Sequence, residues 1–124
     1  MTDETPAQSA EETVEAQWRT VLSYGPEVIE QEMVRAAYAQ PRLRQLFPGV
    51  SHGILLLSRC VGYPHTRDVP VVYPLGEGGY EVTSRAGAEE LHGRCATAEE
   101  AFAVVAANLP EGCGPAVLGT ADDL

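Results

Sequence analysis

Hydrophobic residues near the start of the chain recur at the spacing of an amphipathic helix. Ser9 and Glu12 form a capping-box pattern at the start of this stripe, and Gly25 follows it. A capping-box serine and glutamate satisfy the free amides of a first helical turn, and glycine commonly ends a helix. The pattern therefore predicts a first helix that ends before Gly25. Its buried stripe, with Trp18 as the core anchor, is Val14, Trp18, Val21 and Leu22.

A second helical stripe follows directly. Pro26 suits the first position of a helix because that position needs no amide donor, and Pro41 ends or bends the same helix. Segment 41–47 is expected to add a short helical turn, and Pro48 with Gly49 indicates a loop. The second stripe is Ile29, Met33, Ala36 and Ala37.

The pattern changes to that of a strand in segment 52–60. Four consecutive aliphatic residues occupy its centre, which is typical of a strand covered on both faces. We therefore expect this strand to be central in a sheet. One buried face would carry Ile54 and Leu56, and the other would carry Leu55 and Leu57.

Two further strands are predicted at 69–73 and 80–84, joined by a glycine-rich turn as an antiparallel hairpin. Prolines at both ends of the first of these restrict it to an edge or to short pairing. Segment 85–94 fits either a loop or a short strand around Leu91, and we favour the loop.

The last periodic stretch predicts a helix that runs to about Asn108. Thr97 and Glu100 form a second capping box, and Pro110 ends the helix. The segment after Pro110 is irregular, and we expect it to pack through Val117 and Leu118. The stripe of this helix is Phe102, Val105, Ala106 and Leu109.

This order of elements predicts an α+β fold: two N-terminal helices, a three-stranded antiparallel sheet, and a C-terminal helix packed on one face. At 124 residues the chain suits one hydrophobic core. We therefore expect a disordered acidic N-terminus at 1–10 and a single domain at 11–124.

Net charge restricts the classes of partner. Eighteen acidic residues against eight arginines give −10, a charge that repels nucleic-acid phosphates and favours a basic protein partner. The element order also occurs in double-stranded-RNA-binding domains, but here the last helix begins with Glu99 and Glu100. The chain shows no signal peptide and no apolar run long enough for a membrane, so we expect a cytoplasmic protein with three free cysteines.

The densest set of reactive side chains lies at 58–68, between two predicted strands. Cys60 with His65 has the residue types of a thiolate nucleophile and its base, and Arg59 or Arg67 could hold an anion. The structural alternative is a polar loop in which Cys60 packs inward and Asp68 pairs with Arg67. His52, at the start of the first strand, is a separate candidate base.

The pattern of cysteines and histidines gives only a weak zinc signal. Cys60, His65, His92 and Cys95 have suitable ligand types, but their spacing is not that of a recognised finger. Neither a phosphate-binding loop nor a serine-hydrolase elbow is present. We therefore expect neither metal nor cofactor.

Several segments resemble an uncharacterised family of small actinobacterial proteins labelled as natural-product biosynthesis proteins. The matching motifs are 47–53, 58–60, 63–64, 68–70, 73–76, 79–82, 97–101, 107–110 and 112–117. The resemblance implies a place in secondary metabolism and no particular reaction. Among polar residues it favours the candidates that match the motifs: His52, Arg59, Cys60, Tyr63 and Asp68.

Two functions are consistent with these observations. The first is an accessory or tailoring protein that binds a small metabolite or a carrier-bound intermediate, with His52 as a base and Arg59 as an oxyanion holder if it is an enzyme. The second is a non-enzymatic acidic module, an immunity-type inhibitor or a partner-stabilising protein. Because three helices cover only one face of a small sheet, we also expect a homodimer, with the C-terminal tail as the alternative cover.

Overall fold

A computed structural model describes residues 10–66, 68–76, 78–83 and 91–123. The expected disordered terminus and the Ser9 cap lie outside these residues, apart from Ala10, which begins the first helix. The α+β class is confirmed. The elements in chain order are α1 (Ala10–Leu22), α2 (Gln31–Tyr38), α3 (Pro41–Arg44), β1 (Phe47–Ser51), β2 (Ile54–Ser58), β3 (Val71–Pro74), β4 (Tyr80–Thr83), β5 (Leu91–Cys95) and α4 (Ala98–Ala107), followed by a 3₁₀ turn at Ala121–Asp123.

The first helix is anchored to the rest of the core by Trp18. Its side chain is fully buried, and its indole Nε1 donates a hydrogen bond to the carbonyl of Leu46, 3.0 Å away. Burying an indole is favourable only when its N–H finds an acceptor. The predicted anchor is therefore confirmed, and it fixes the chain just before β1.

The second helix begins later than the sequence predicts. Gly25 and Pro26 form a turn closed by the Val28 amide on the Gly25 carbonyl at 2.9 Å, and α2 starts only at Gln31. The side chain of Gln31 donates to the Tyr24 carbonyl. The backbone carbonyls of Tyr24 and Gly25 are thus used by a local turn and by Gln31, and the helix does not extend back to Pro26.

The strand predicted to be central belongs instead to a two-stranded hairpin. β2 pairs antiparallel with β1, the segment expected to be a loop. Leu55 and Leu57 on the inner face are buried, whereas Ile54 and Leu56 on the outer face are only half-buried. The expectation that both faces are buried is therefore wrong for the outer face.

The three-stranded sheet has the order β3-β4-β5, and both of its pairings are antiparallel. The preference for a loop over 85–94 is wrong for Leu91–Cys95, which forms β5; residues 85–90 lie outside the described part. Helix α4 packs on this sheet through Phe102 and Val105, which are both buried. The predicted cap is confirmed, since Thr97 Oγ1 accepts the Glu100 amide at 3.1 Å, but the return bond from Glu100 Oε1 is to the amide of Ala96, one residue before the cap, at 3.1 Å.

The C-terminal segment is attached by its backbone. Val117 forms a parallel bridge with Cys60, and the Ala116 amide donates to the Gln45 carbonyl at 2.9 Å. Ala116 is buried, but Val117 and Leu118 are exposed, so the expected packing through those two side chains is wrong. Backbone pairing and the burial of Ala116 hold this segment, and the side chains of Val117 and Leu118 do not.

None of the described helices combines the length and the apolar character required to cross a lipid bilayer.

Candidate functional site

The loop at 58–68 is organised around two buried hydroxyl side chains. Ser58 Oγ accepts the amides of Cys60 and Thr66, both at 3.1 Å, and donates to the Cys60 carbonyl at 2.8 Å. Thr66 Oγ1 accepts the Arg59 amide at 2.8 Å. Buried backbone groups need such partners, so Ser58 and Thr66 close the loop at its two ends.

Closure of the loop brings Arg59 and Asp68 together as an ion pair. Arg59 Nε lies 2.9 Å from Asp68 Oδ2, and a second guanidinium nitrogen bonds the same oxygen. Burial raises the pKa of Asp68, but the hydrogen bond and positive charge of Arg59 outweigh it, so this pKa lies below its ordinary value. The other oxygen, Oδ1, is buried and has no hydrogen-bond partner among the described residues. Arg67, expected to pair with Asp68, lies outside the described residues.

Cys60 is fully buried at the base of the loop. Its Sγ donates to the carbonyls of Gly62 and Pro64 at 3.5 and 3.6 Å. His65 directs Nε2 to the Val61 carbonyl at 3.2 Å instead of to the cysteine. Cys60 and His65 are therefore each directed to backbone carbonyls, and these contacts do not pair them as a nucleophile and its base.

A cleft of about 200 Å³ lies beside the loop, on the outer face of the β1-β2 hairpin. Phe47 and His65 stack at its rim with ring centroids 5.6 Å apart, and Tyr63 meets His65 edge-on at 5.8 Å. Tyr63 is 82% exposed. The lining is Phe47, Gly49, Val50, Leu56, Ser58 and His65.

His52 is separated from the other candidates. It lies in the turn between β1 and β2 with φ +54°, and its Nδ1 is 3.0 Å from Ser51 Oγ. Strand β2 spans the whole distance from this turn to Arg59, and a strand rises about 3.3 Å per residue. His52 and Arg59 are thus at opposite ends of β2, whereas Arg59, Cys60, Tyr63 and Asp68 share one loop.

The residues of the zinc hypothesis are dispersed. Cys60 lies in the loop, while Cys95 ends β5 opposite Tyr80 and has a pKa raised by burial and by Glu100. Within the described ranges no three side chains of the types His, Cys, Asp or Glu are grouped to hold a metal ion. The side chain of His92 is outside those ranges.

Sequence reasoning gave no role to Ser58, Thr66 or Phe47. A serine that ends an aliphatic run is a usable signal for Ser58, because a buried hydroxyl at a strand end must bond the backbone nearby. Phe47 has no such signal. It reaches the cleft only because β1 pairs with β2 in a register that places it opposite Ser58.

Comparison with known proteins identifies one relationship. A family model described as "Family of unknown function (DUF6193)" matches residues 12–120. No curated protein and no solved structure matches the chain significantly. Because the match spans most of the sequence, the chain belongs to the DUF6193 family of unknown function.

Proposed function

We propose that this protein binds a small, mainly apolar metabolite in the hairpin cleft and acts as an accessory protein of a natural-product pathway. The observation that carries this proposal is the cleft itself, an apolar concavity of about 200 Å³ with an aromatic rim. Small-molecule sites combine such apolar walls with few polar groups. The volume lies below the range of about 300–1,000 Å³ that holds drug-sized ligands, so the cleft would take only a compact ligand or one end of a larger, carrier-bound intermediate.

The contacts of the reactive groups favour binding over catalysis. The Ser58 hydroxyl is used by three backbone groups, the Cys60 thiol is buried as a donor, and Arg59 is held by Asp68. Each of these groups is already bonded to other groups of the loop, so none is free to act as a nucleophile or base. In this proposal the loop shapes the cleft.

His65 defines the polar chemistry of the ligand. The Val61 carbonyl can only accept, so Nε2 of His65 carries a hydrogen in the neutral ring. Nδ1 is then the acceptor of that ring. A ligand with one hydroxyl or N–H group beside an apolar or aromatic body matches this lining.

Gly49 allows the cleft to be filled without strain. A β-carbon added there would meet no atom within 4 Å, and the same is true at Gly93 in β5, which belongs to the other sheet and does not line the cleft. Gly49→Leu and Gly93→Leu are therefore a matched pair. Each variant and the wild type would be incubated with an organic extract of the native host's culture, reisolated, and analysed for retained compounds by mass spectrometry.

We expect wild type and Gly93→Leu to retain the same compound, and Gly49→Leu to retain at least about tenfold less. Equal retention by Gly49→Leu would place binding elsewhere. Retention of nothing by the wild type would refute metabolite binding in this cleft.

The second candidate, an acidic module for a basic partner, has one supporting observation. Tyr80 bonds Glu30, and burial, this bond, and the charges of Glu32 and Glu99 raise its pKa to about 12. Three carboxylates, those of Glu30, Glu32 and Glu99, therefore lie near Tyr80, where α2 and α4 meet β4. A basic protein that co-purifies, and whose association weakens steeply with salt, would favour this function over metabolite binding.

A further inference from the structure

A second and larger cavity, of about 340 Å³, lies between α1, α3 and the C-terminal segment. Its walls combine apolar groups with both signs of charge. Val14 and Ala116 are buried beside it. The lining includes Glu11, Val14, Glu15, Pro41, Arg44 and Pro115.

One residue, Tyr38, positions a negative and a positive charge of this lining. Its hydroxyl donates to Glu15 Oε2 at 2.7 Å. Its carbonyl accepts Arg44 Nε at 2.7 Å, and the guanidinium lies 4.8 Å from the centre of its ring. Among the described residues, no hydrogen bond uses Glu15 Oε1 or the two terminal nitrogens of Arg44, so these atoms could meet a ligand.

The two charges do not neutralise each other. Within the described residues the ion pairs are Arg59 with Asp68 and Arg94 with Glu81, and neither involves Glu15 or Arg44. Here Tyr38 fixes each in a separate contact, so the cavity presents an acceptor and a fork of donors at the same time.

We propose that this cavity binds a zwitterionic α-amino acid. Its carboxylate would lie on the terminal nitrogens of Arg44, which suit a planar anion, and its ammonium would lie on Glu15 with support from Glu11. The side chain would contact Val14, Pro41 and Pro115. The cavity volume is at the lower end of the range for small-molecule sites, which fits a single amino acid.

This site is independent of the hairpin cleft. The two linings share no residue. Gly49→Leu is therefore expected to leave amino-acid binding unchanged, so failure of one proposal is distinguishable from failure of the other.

The test uses the full chain with glycine, L-leucine and L-phenylalanine as probes. Trp18 lies 5.4 Å from the Tyr38 ring, so its fluorescence reports on the site, and amide correlation spectra provide a second readout. Phenylpropanoate lacks the ammonium group, and phenylethylamine lacks the carboxylate. We expect each to bind at least about tenfold more weakly than L-phenylalanine.

Charge-removing variants locate the site. Glu15→Gln keeps an acceptor for Tyr38, and Arg44→Gln removes the guanidinium; each is expected to weaken L-phenylalanine binding at least about tenfold. Glu99→Gln and Arg35→Gln make the same changes on α4 and α2, and are expected to bind as wild type does. The proposal is overturned if none of the three amino acids shifts signals of the cavity residues. The proposal is also overturned if phenylpropanoate and phenylethylamine bind as tightly as L-phenylalanine. It is equally overturned if both Glu15→Gln and Arg44→Gln bind L-phenylalanine as tightly as the wild type does.

Discussion

Ser58→Ala removes one hydroxyl on which the whole 58–68 loop depends. The Ser58 side chain is 4% exposed, and its oxygen is the acceptor for the amides of Cys60 and Thr66. Alanine leaves both buried donors unsatisfied, and each such donor costs about 1–3 kcal/mol. We expect a total loss of about 2–6 kcal/mol, against roughly 5–15 kcal/mol for a domain of this class.

The measurement is urea unfolding followed by Trp18 fluorescence, with far-ultraviolet circular dichroism as the second probe. Ser51→Ala is the matched control, because Ser51 is exposed on the same face of the hairpin and, among the described residues, its hydroxyl hydrogen-bonds only to His52. We expect the control to change the free energy of unfolding by no more than about 0.5 kcal/mol. If Ser58→Ala costs no more than Ser51→Ala, water or a rearranged loop satisfies the two amides, and the closure argument fails.

Two further predictions test the ion pair and the hairpin. Because the folded pKa of Asp68 lies below its unfolded value, its stabilisation is present above the ordinary carboxyl pKa of about 3.9 and is lost as pH falls through the folded pKa. Asp68→Asn should therefore reduce the fall in the free energy of unfolding as the pH is lowered, measured at several acidic pH values. Asp122→Asn, at an exposed position, should leave this pH dependence unchanged. Leu57→Ala is expected to cost about 2–5 kcal/mol and Leu56→Ala about half as much, because Leu57 is buried and Leu56 is only half-buried. Equal losses by calorimetry would contradict the assignment of inner and outer faces.

The parts of the fold that the sequence predicts well are specified by nearby residues. Helices α1 and α4 have local signals, such as the Thr97 cap, and their stripes are continuous in sequence. Strand β1 could not be predicted in this way. Pro48 and Gly49 are turn-forming residues, but pairing with β2 and burial of Pro48 opposite Leu57 override that preference. Strand β5 likewise depends on its pairing with β4.

The candidate site also has a part that the sequence predicts and a part that it does not. A polar segment between strands indicated the loop and its residues Arg59, Cys60, Tyr63 and Asp68. The partner of Asp68 and the cleft were not predictable, because both depend on groups that only the folded chain brings together. Phe47 and Gly49 enter the cleft through strand register, and register is a property of the pair of strands.

The C-terminal segment is attached to the 58–68 loop by backbone hydrogen bonds. The amides of Val61 and Gly62 donate to Val117 and Gly119, and the amide of Ala121 donates back to Pro64. None of these bonds involves the core helices, so detachment of one short segment releases all of these amides to hydrogen exchange together. We therefore expect the amides of Val61, Gly62 and Ala121 to exchange together, at a free energy below that of global unfolding. Substitutions in residues 117–121 are expected to change this exchange while the core remains folded.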